Sequence, residues 1–371
     1  MDRQSPRSWQ LFRRIILEKA VNSGRLIGLV LSLAAMVPGG AAAWTGKDIR
    51  DWSVDCTNGL TCNMSYYDWS AKGIQLVGFL RRGGADAPVA LKLRMGEGFG
   101  PEDAPDATYS FVVDGRQILV ISARQLKPEA RGNAFLLADA IQARALMAAM
   151  EKGTVMEAKA STPKRAASFP VKLSGVKGAM LFIDEAQGRL GRTDALAEKG
   201  DKLPPKDEVA GDIETLEDMP AIVRRDFTES GGACGDLEPA SIGQFQGFDI
   251  MVGSTRLIAV PCGTGGAYNQ PYALYVGYDV IVERIAFPLM DEGSPTTMST
   301  AFNIDFDPVT RVLTAFDKGR GLGDCGQFYK WRFNEDAATL SLLEERAKDE
   351  CDGEGDGGGP DTFPVVWQVK K

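Results

Sequence analysis

The chain has 371 residues, enough for two ordinary domains, with 44% apolar and 25% charged side chains, the balance of a globular protein with a real core. It contains no histidine, which excludes Ser-His-Asp and Cys-His nucleophiles, His-ligated metals and imidazole acid–base chemistry. A formal net charge of −8 argues against general nucleic-acid binding.

Residues 1–25 carry Arg3, Arg7, Arg13, Arg14, Lys19 and Arg25, followed by an apolar run from Leu26 to Val37 and then by Pro38-Gly39-Gly40-Ala41-Ala42-Ala43. A basic region, a short apolar region and an A-x-A site predict a cleavable signal peptide over residues 1–43, with Trp44 opening the mature chain. The apolar run is shorter than the roughly 20 residues of a spanning helix. No stable membrane insertion is therefore expected after cleavage, and the periplasm is the expected location. An uncleaved anchor is the competing reading. Arg13-Arg14 fits a twin-arginine signal only loosely, and Cys56 lies too far inside for lipid attachment. Cleavage removes six basic and two acidic side chains and deepens the net charge from −8 to −12.

The first mature segment, Trp52-Ser53-Val54-Asp55-Cys56, alternates as a strand, and Ile74–Leu80 and Val89–Met95 read as two more, joined through Arg81-Arg82-Gly83-Gly84. Residues 96–107 are rich in Gly, Pro and acids and read as loop. Tyr109–Val113 and Ile118–Ile121 flank Asp114-Gly115, a hairpin signal. Over residues 137–152 the apolar period changes to that of a helix, which Gly153 stops. Strands are expected at Thr154–Lys159 and Phe169–Ser174, and a short helix at Ala179–Ala186. Residues 197–219, with Pro204, Pro205, Glu214, Glu217 and Asp218 and with Pro220 just after, read as an acidic linker. Beyond it nearly everything is strand-like. Tyr272, Leu274, Val276 and Tyr278 alternate, as do Phe302, Ile304 and Phe306, then Tyr329, Trp331 and Phe333, and finally Phe363, Val365, Trp367 and Val369. Glu344–Glu350 reads as a short helix. The pattern predicts a mainly β protein with a few short helices: a β-sandwich domain over residues 44–196, the linker, and an antiparallel β barrel or sandwich over residues 220–371.

The cysteines are Cys56, Cys62, Cys234, Cys262, Cys325 and Cys351. An even number in a chain expected to be exported predicts disulfides. No C-x-x-C and no histidine exist to complete a zinc site. Cys56 and Cys62 flank the turn around Asn58-Gly59. Cys234–Cys262 and Cys325–Cys351 would each close a hairpin-sized loop. A reactive Cys325 thiol beside Lys318 and Arg320 is the alternative for that position.

Several of these runs resemble a family of bacterial exported six-cysteine proteins called domain of unknown function 1176. The likeness rests on Asp51–Cys56 with Cys62, on Asp184-Glu185-Ala186-Gln187-Gly188-Arg189, on Pro261–Asn269, and on Lys318–Gly326. The first half is also similar to invasion-associated locus B proteins, which implies an immunoglobulin-like β-sandwich there. The family carries no established activity, so the resemblance implies location, disulfides and fold rather than chemistry. The Gly/Asp insert at 352–361 departs from it.

Gly321-Leu322-Gly323-Asp324-Cys325-Gly326 matches G-x-G-x-x-G, but a strand and not a helix is expected after it, so a dinucleotide site is rejected. A tight glycine turn is the plain reading, with an anion nest from Lys318, Arg320 and backbone amides as the alternative. Gly263–Asn269 beside Tyr272, Tyr275 and Tyr278 suits sugar or peptide binding. Asp352–Gly357 looks like half of a calcium loop, but Phe363 stands where the closing Glu belongs. Asp305, Asp307, Asp317 and Asp324 leave a carboxylate pair open, although turns use Asp anyway. Asp184, Glu185 and Arg189 lie at helical spacing, with a Glu185–Arg189 ion pair as the plain account.

No cofactor signature is present. The expected function is that of a non-enzymatic envelope-binding protein whose partner is a protein or glycan. The alternatives are a carboxylate-dependent hydrolase of envelope glycans and an inhibitor of a lytic enzyme. The expected recognition residues are Tyr268, Asn269, Lys318, Arg320 and Asp324, provided that their two loops meet.

Overall fold

Period-two alternation builds the first half. Trp52, Val54 and Cys56 turn inward and are buried, while Ser53 and Asp55 turn outward. The computed structural model of the protein describes residues 45–370 apart from 86, 130–132, 205–208, 279–280 and 354–358. The expected signal peptide, the start at Trp44 and most of the Gly/Asp insert lie outside the described residues.

The first sheet runs in spatial order Thr45–Ile49, Trp52–Cys56, Cys62–Tyr67, Ile74–Arg81, Val89–Met95, Phe135–Leu137 and Lys127–Pro128, with all neighbours antiparallel. The second runs Ala166–Lys172, Val155–Ser161, Thr108–Val113 and Arg116–Ser122, also antiparallel. The predicted hairpin turns at Asp114 and Gly115, both at positive φ, and the Asp114 carboxylate accepts the amides of Thr154 and Val155. The two sheets share one core, in which Trp52, Phe79, Leu91, Tyr109, Phe111 and Phe169 are almost wholly removed from water.

Helix α1 (Ala140–Lys152) starts where the Asp139 side chain accepts the amides of Ile141 and Gln142. Helix α2 (Val176–Ala186) follows Gly175 at φ 109°, where a side chain would run into the Ile49 carbonyl. The turn after α2 is tied to the first sheet. Buried Asp184 accepts the amides of Leu196 and Ala197 and lies 3.5 Å from buried Arg81. Arg189 pairs with Asp194 and donates to the Gly84 carbonyl, so the expected Glu185–Arg189 pair is replaced by longer-range contacts. The helix ends before Arg189 and turns its side chain back toward the sheet.

The third sheet runs Ala210–Ile213, Gly247–Val252, Thr255–Pro261, Pro271–Tyr278 and Ile281–Ile285, and Ala301–Phe302 also pairs with Pro271–Tyr272. Ala210–Ile213 lies within the segment expected as a linker and forms the sheet's edge strand. The fourth sheet runs Asp305–Asp307, Val312–Lys318, Gly326–Asn334, Thr339–Lys348 and Val365–Gln368. Tyr272, Leu274 and Val276 pack with Phe248, Phe306, Trp331 and Phe333. Ala273 and Tyr275 pack on the opposite face, with Val223 of helix α3 (Ala221–Thr228) and Ile242 of helix α4 (Ile242–Phe245).

The chain is thus mainly β with a few short helices, as expected. Among the described residues no sheet closes into a barrel, and the sandwich is the arrangement found. The expected helix at Glu344–Glu350 is instead the end of strand Thr339–Lys348, because pairing with Gly326–Asn334 and Val365–Gln368 outweighs local helix preference. No helix of the described residues is long and apolar enough to cross a membrane.

Candidate functional site

Gly263–Asn269 leads into the strand Pro271–Tyr278 of the third sheet, and Lys318–Asp324 leaves the strand Val312–Lys318 of the fourth. The two loops meet. The Tyr268 hydroxyl donates to the Gly319 carbonyl at 3.2 Å. Asn269 Nδ2 donates to Asp317 Oδ1 and to the Lys318 carbonyl, both at 2.8 Å, while its Oδ1 accepts the Lys318 amide at 3.0 Å. One side-chain amide thereby imitates a strand pairing and satisfies both backbone groups of Lys318.

Asn303 backs this contact. It holds a left-handed backbone at φ 49°, which asparagine tolerates better than most residues. Its buried side chain donates to the carbonyls of Tyr268 and Phe316 and to Asn269 Oδ1, and accepts the Gln270 amide. Sequence reasoning missed Asn303. The sequence carried little signal, since Asn303 takes an ordinary polar position between Phe302 and Ile304 and only its left-handed backbone sets it apart.

Below the second loop, Asp324 is fully buried. Arg320 Nε donates to its Oδ1 at 2.8 Å and the Gly353 amide to its Oδ2 at 2.7 Å. The Arg320 guanidinium, helped by that amide, holds the Asp324 carboxyl well below the usual carboxylate range. The Cys325–Cys351 disulfide brings Gly353 into reach. The other bridges, Cys56–Cys62 and Cys234–Cys262, are also the expected pairs, and no described cysteine is free. Cys325 is therefore not a reactive thiol. The cluster of Asp324, Cys325 and Cys351 offers no thiolate to a metal.

The five expected recognition residues are thus brought together, but they divide by role. Asn269 and Asp324 are engaged within the loops. Tyr268 is 37% exposed, the Arg320 side chain 39%, and Lys318 is half-buried with its ammonium 5.9 Å from the Phe316 ring. Leu322, at the loop tip and not singled out by the sequence, is 72% exposed. Tyr272 and Tyr275 are buried and their phenols pushed above the usual range by burial, so of the three strand tyrosines only Tyr278 reaches solvent. The strand Gly326–Asn334 directly follows the glycine turn, as the rejection of a dinucleotide site requires.

Of the other three aspartates, Asp307 and Asp317 serve local structure. Asp307 accepts the amides of Val309 and Thr310. Asp317 takes the Asn269 amide. Asp305 is pushed above the usual range by burial. A cavity of about 690 Å³ lies between the first sheet and the strand Ala210–Ile213. Its Glu129 pairs with Lys92 at 2.9 Å, and its Asp218 accepts the amides of Glu214 and Thr215.

Residues 46–370 match the family model described as "Protein of unknown function (DUF1176)". The chain belongs to this family. It is 26% identical over 346 residues to "Uncharacterized protein YpfG" of Escherichia coli (strain K12), spanning 88% of this chain and 93% of that one. Among solved structures it is similar to invasion associated protein b from Bartonella henselae, with 17% identity, a TM-score of 0.29, and 38% of this chain set against 98% of that one.

Proposed function

We propose that the protein is exported to the periplasm through a signal peptide cleaved after Ala43 and acts there as a non-enzymatic binding protein of the cell envelope. Its recognition surface would be formed by the loops Gly263–Asn269 and Lys318–Asp324. The observation that carries this reading is the direct contact of the two loops through Tyr268, Asn269 and Lys318. A rigid loop pair on a β scaffold is a common host for a binding site. Here the Cys325–Cys351 bridge fixes the pair while Tyr268 and Leu322 stay exposed. Three disulfides support an oxidising compartment. In the 690 Å³ cavity Glu129 is engaged with Lys92 and Asp218 with backbone amides, which speaks against these two as the acid and base of a hydrolase.

The test compares capture from envelope extract by the parent protein and by Tyr268→Ala and Leu322→Ser. A partner retained by the parent and lost by both variants, at unchanged melting temperature, supports the surface. Equal capture by all three removes it. N-terminal sequencing of periplasmic protein is expected to begin at Trp44, and a full-length membrane-bound product would defeat the export reading.

A further inference from the structure

The outer face of the first sheet carries a feature that neither loop uses. Tyr67, Leu76 and Arg94 are cross-strand partners in successive strands, so their side chains stand side by side on one face. Over them lies Trp69 from the turn that joins Cys62–Tyr67 to Ile74–Arg81. Its ring is stacked on Tyr67, with centroids 5.0 Å apart and planes at 24°, and the Arg94 guanidinium sits 4.8 Å from its centroid. Despite these contacts Trp69 is 51% exposed and Tyr67 48%.

The turn is built to hold that ring outward. Asp68 Oδ1 accepts the Ser70 amide at 2.9 Å, the Asp68 carbonyl accepts the Ala71 amide at 3.1 Å, and Gln75 Nε2 donates to the carbonyls of Trp69 and Ala71 at 3.2 Å. A side chain fixed in this way gives up little conformational entropy when a ligand settles on it. Beside Trp69 opens a hollow of about 440 Å³, within the size range of small-ligand sites, lined among others by Lys72, Gln75, Glu97, Phe99 and Arg165. Arg165 lies 4.4 Å from the Phe99 ring and donates to the Glu97 carbonyl.

We propose that the Tyr67–Trp69–Arg94 platform and the adjoining hollow form a carbohydrate-binding site that takes a neutral pyranose chain. Stacked rings offer a broad face to the C–H surface of a sugar ring, and the amide and charged groups of the hollow offer partners to its hydroxyls. Charges of both signs surround the platform: Lys72, Arg94 and Arg165 stand with Glu97 of the hollow, Asp68 of the turn and Asp103, which accepts the Gly98 amide beside Arg165. That mixture suits an uncharged polar ligand better than a phosphate or a polyanion. The site lies on the first sheet and is independent of the two-loop surface.

The test is calorimetric titration of the purified protein with cellotetraose and with chitotetraose, followed by tryptophan fluorescence. At least one tetraose is expected to bind. Trp69→Ala and Tyr67→Ala are expected to weaken it tenfold or more, Trp69→Phe to retain part of the affinity, and Leu322→Ser to leave it unchanged. The melting temperatures of the platform variants are expected to stay close to that of the parent. Absence of binding by both sugars overturns the proposal, as does binding by Trp69→Ala equal to that of the parent. A dimer that Trp69→Ala converts to monomer in sedimentation overturns it too, since the platform would then be a self-association face.

Discussion

The side-chain oxygen of Asn58 accepts the backbone amide of Phe306 at 3.1 Å, across 248 residues of sequence. Asn58 belongs to the loop closed by Cys56–Cys62, and Phe306 is buried in the core of the fourth sheet. The same loop touches both halves of the chain. The Leu60 carbonyl accepts Gln187 Nε2 at 2.7 Å from the turn after α2, while Gly59 lies against Gly211 and Asp212 of the third sheet's edge strand. The first disulfide therefore shapes a wedge between the halves as well as a hairpin.

Gly59 is the sharpest probe of that wedge. A Cβ there would stand 2.5 Å from the Asp212 amide nitrogen and from the Gly211 carbonyl carbon, and neither backbone atom can rotate away. Gly59→Ala is expected to destabilise the protein by about 1–3 kcal/mol, the usual cost of overpacking. Amide hydrogen exchange should quicken across Ala210–Ile213. Asn58→Ala is expected to cost about 1 kcal/mol, with faster exchange at Phe306. Unchanged exchange at both places would mean that the loop does not brace the halves.

The three disulfides should differ in weight. Loop entropy grows with the length closed, so the six-residue separation of Cys56–Cys62 is expected to contribute about 2 kcal/mol, and the separations of 28 and 26 residues about 3–4 kcal/mol each. Paired Cys→Ser variants followed by denaturant unfolding would rank them. Thiol titration of the unreduced, denatured protein should find no free cysteine.

What the sequence disclosed follows from how local each signal is. Asp114-Gly115 and the alternating Val89–Met95 announce their structure within a few residues, and both stand as expected. Glu344–Glu350 does not, because its strand exists only through partners at Gly326–Asn334 and Val365–Gln368. The strand Pro271–Tyr278 read as one-sided because Tyr272, Leu274 and Val276 alternate. Its second buried face depends on helices α3 and α4, whose packing no local pattern reports. The cysteine-flanked glycine loops marked the candidate site. The side chains that fasten it, Asn303 above all, are polar residues whose role appears only when oxygens from two separate segments, Tyr268-Asn269 and Phe316, converge on them. The exposed Trp69 was legible in principle, as an aromatic residue inside the turn Asp68–Gly73.

Buried Asp324 and half-buried Asp305 should give opposite pH responses. Asp324 titrates well below an ordinary aspartate because Arg320 binds its anion. The stability it contributes is present above about pH 4, where an unfolded aspartate is ionised, and is lost as pH falls toward its folded value. Asp305 is raised by burial, so its contribution is complete below about pH 4 and is lost as pH rises through its folded value. Asp324→Asn is expected to lower the urea midpoint near pH 7, with a gap that closes in acid. Asp305→Asn is expected to raise the midpoint near pH 7, with a gap that vanishes near pH 4. Parallel curves for parent and variants would contradict both assignments.

The polar residues of the two contacting loops are not equivalent. Removing the Asn269 side chain leaves the Lys318 amide and carbonyl without their partner and takes one acceptor from Asn303. Asn269→Ala should therefore cost about 1–3 kcal/mol for the buried groups left unpaired, and should impair binding only as a consequence of lost shape. Arg320→Ala leaves the buried Asp324 carboxylate without its guanidinium and is likewise expected to unfold early. Tyr268→Ala removes an exposed ring and a single 3.2 Å hydrogen bond, so its effect on stability should stay within about 1 kcal/mol. If these loops bind a partner, Tyr268→Ala loses affinity without losing stability, while Asn269→Ala and Arg320→Ala lose both together. Melting temperature set against binding for the three variants separates the outcomes. A Tyr268→Ala protein that binds as the parent does would leave the loop pair as a brace between the third and fourth sheets and nothing more.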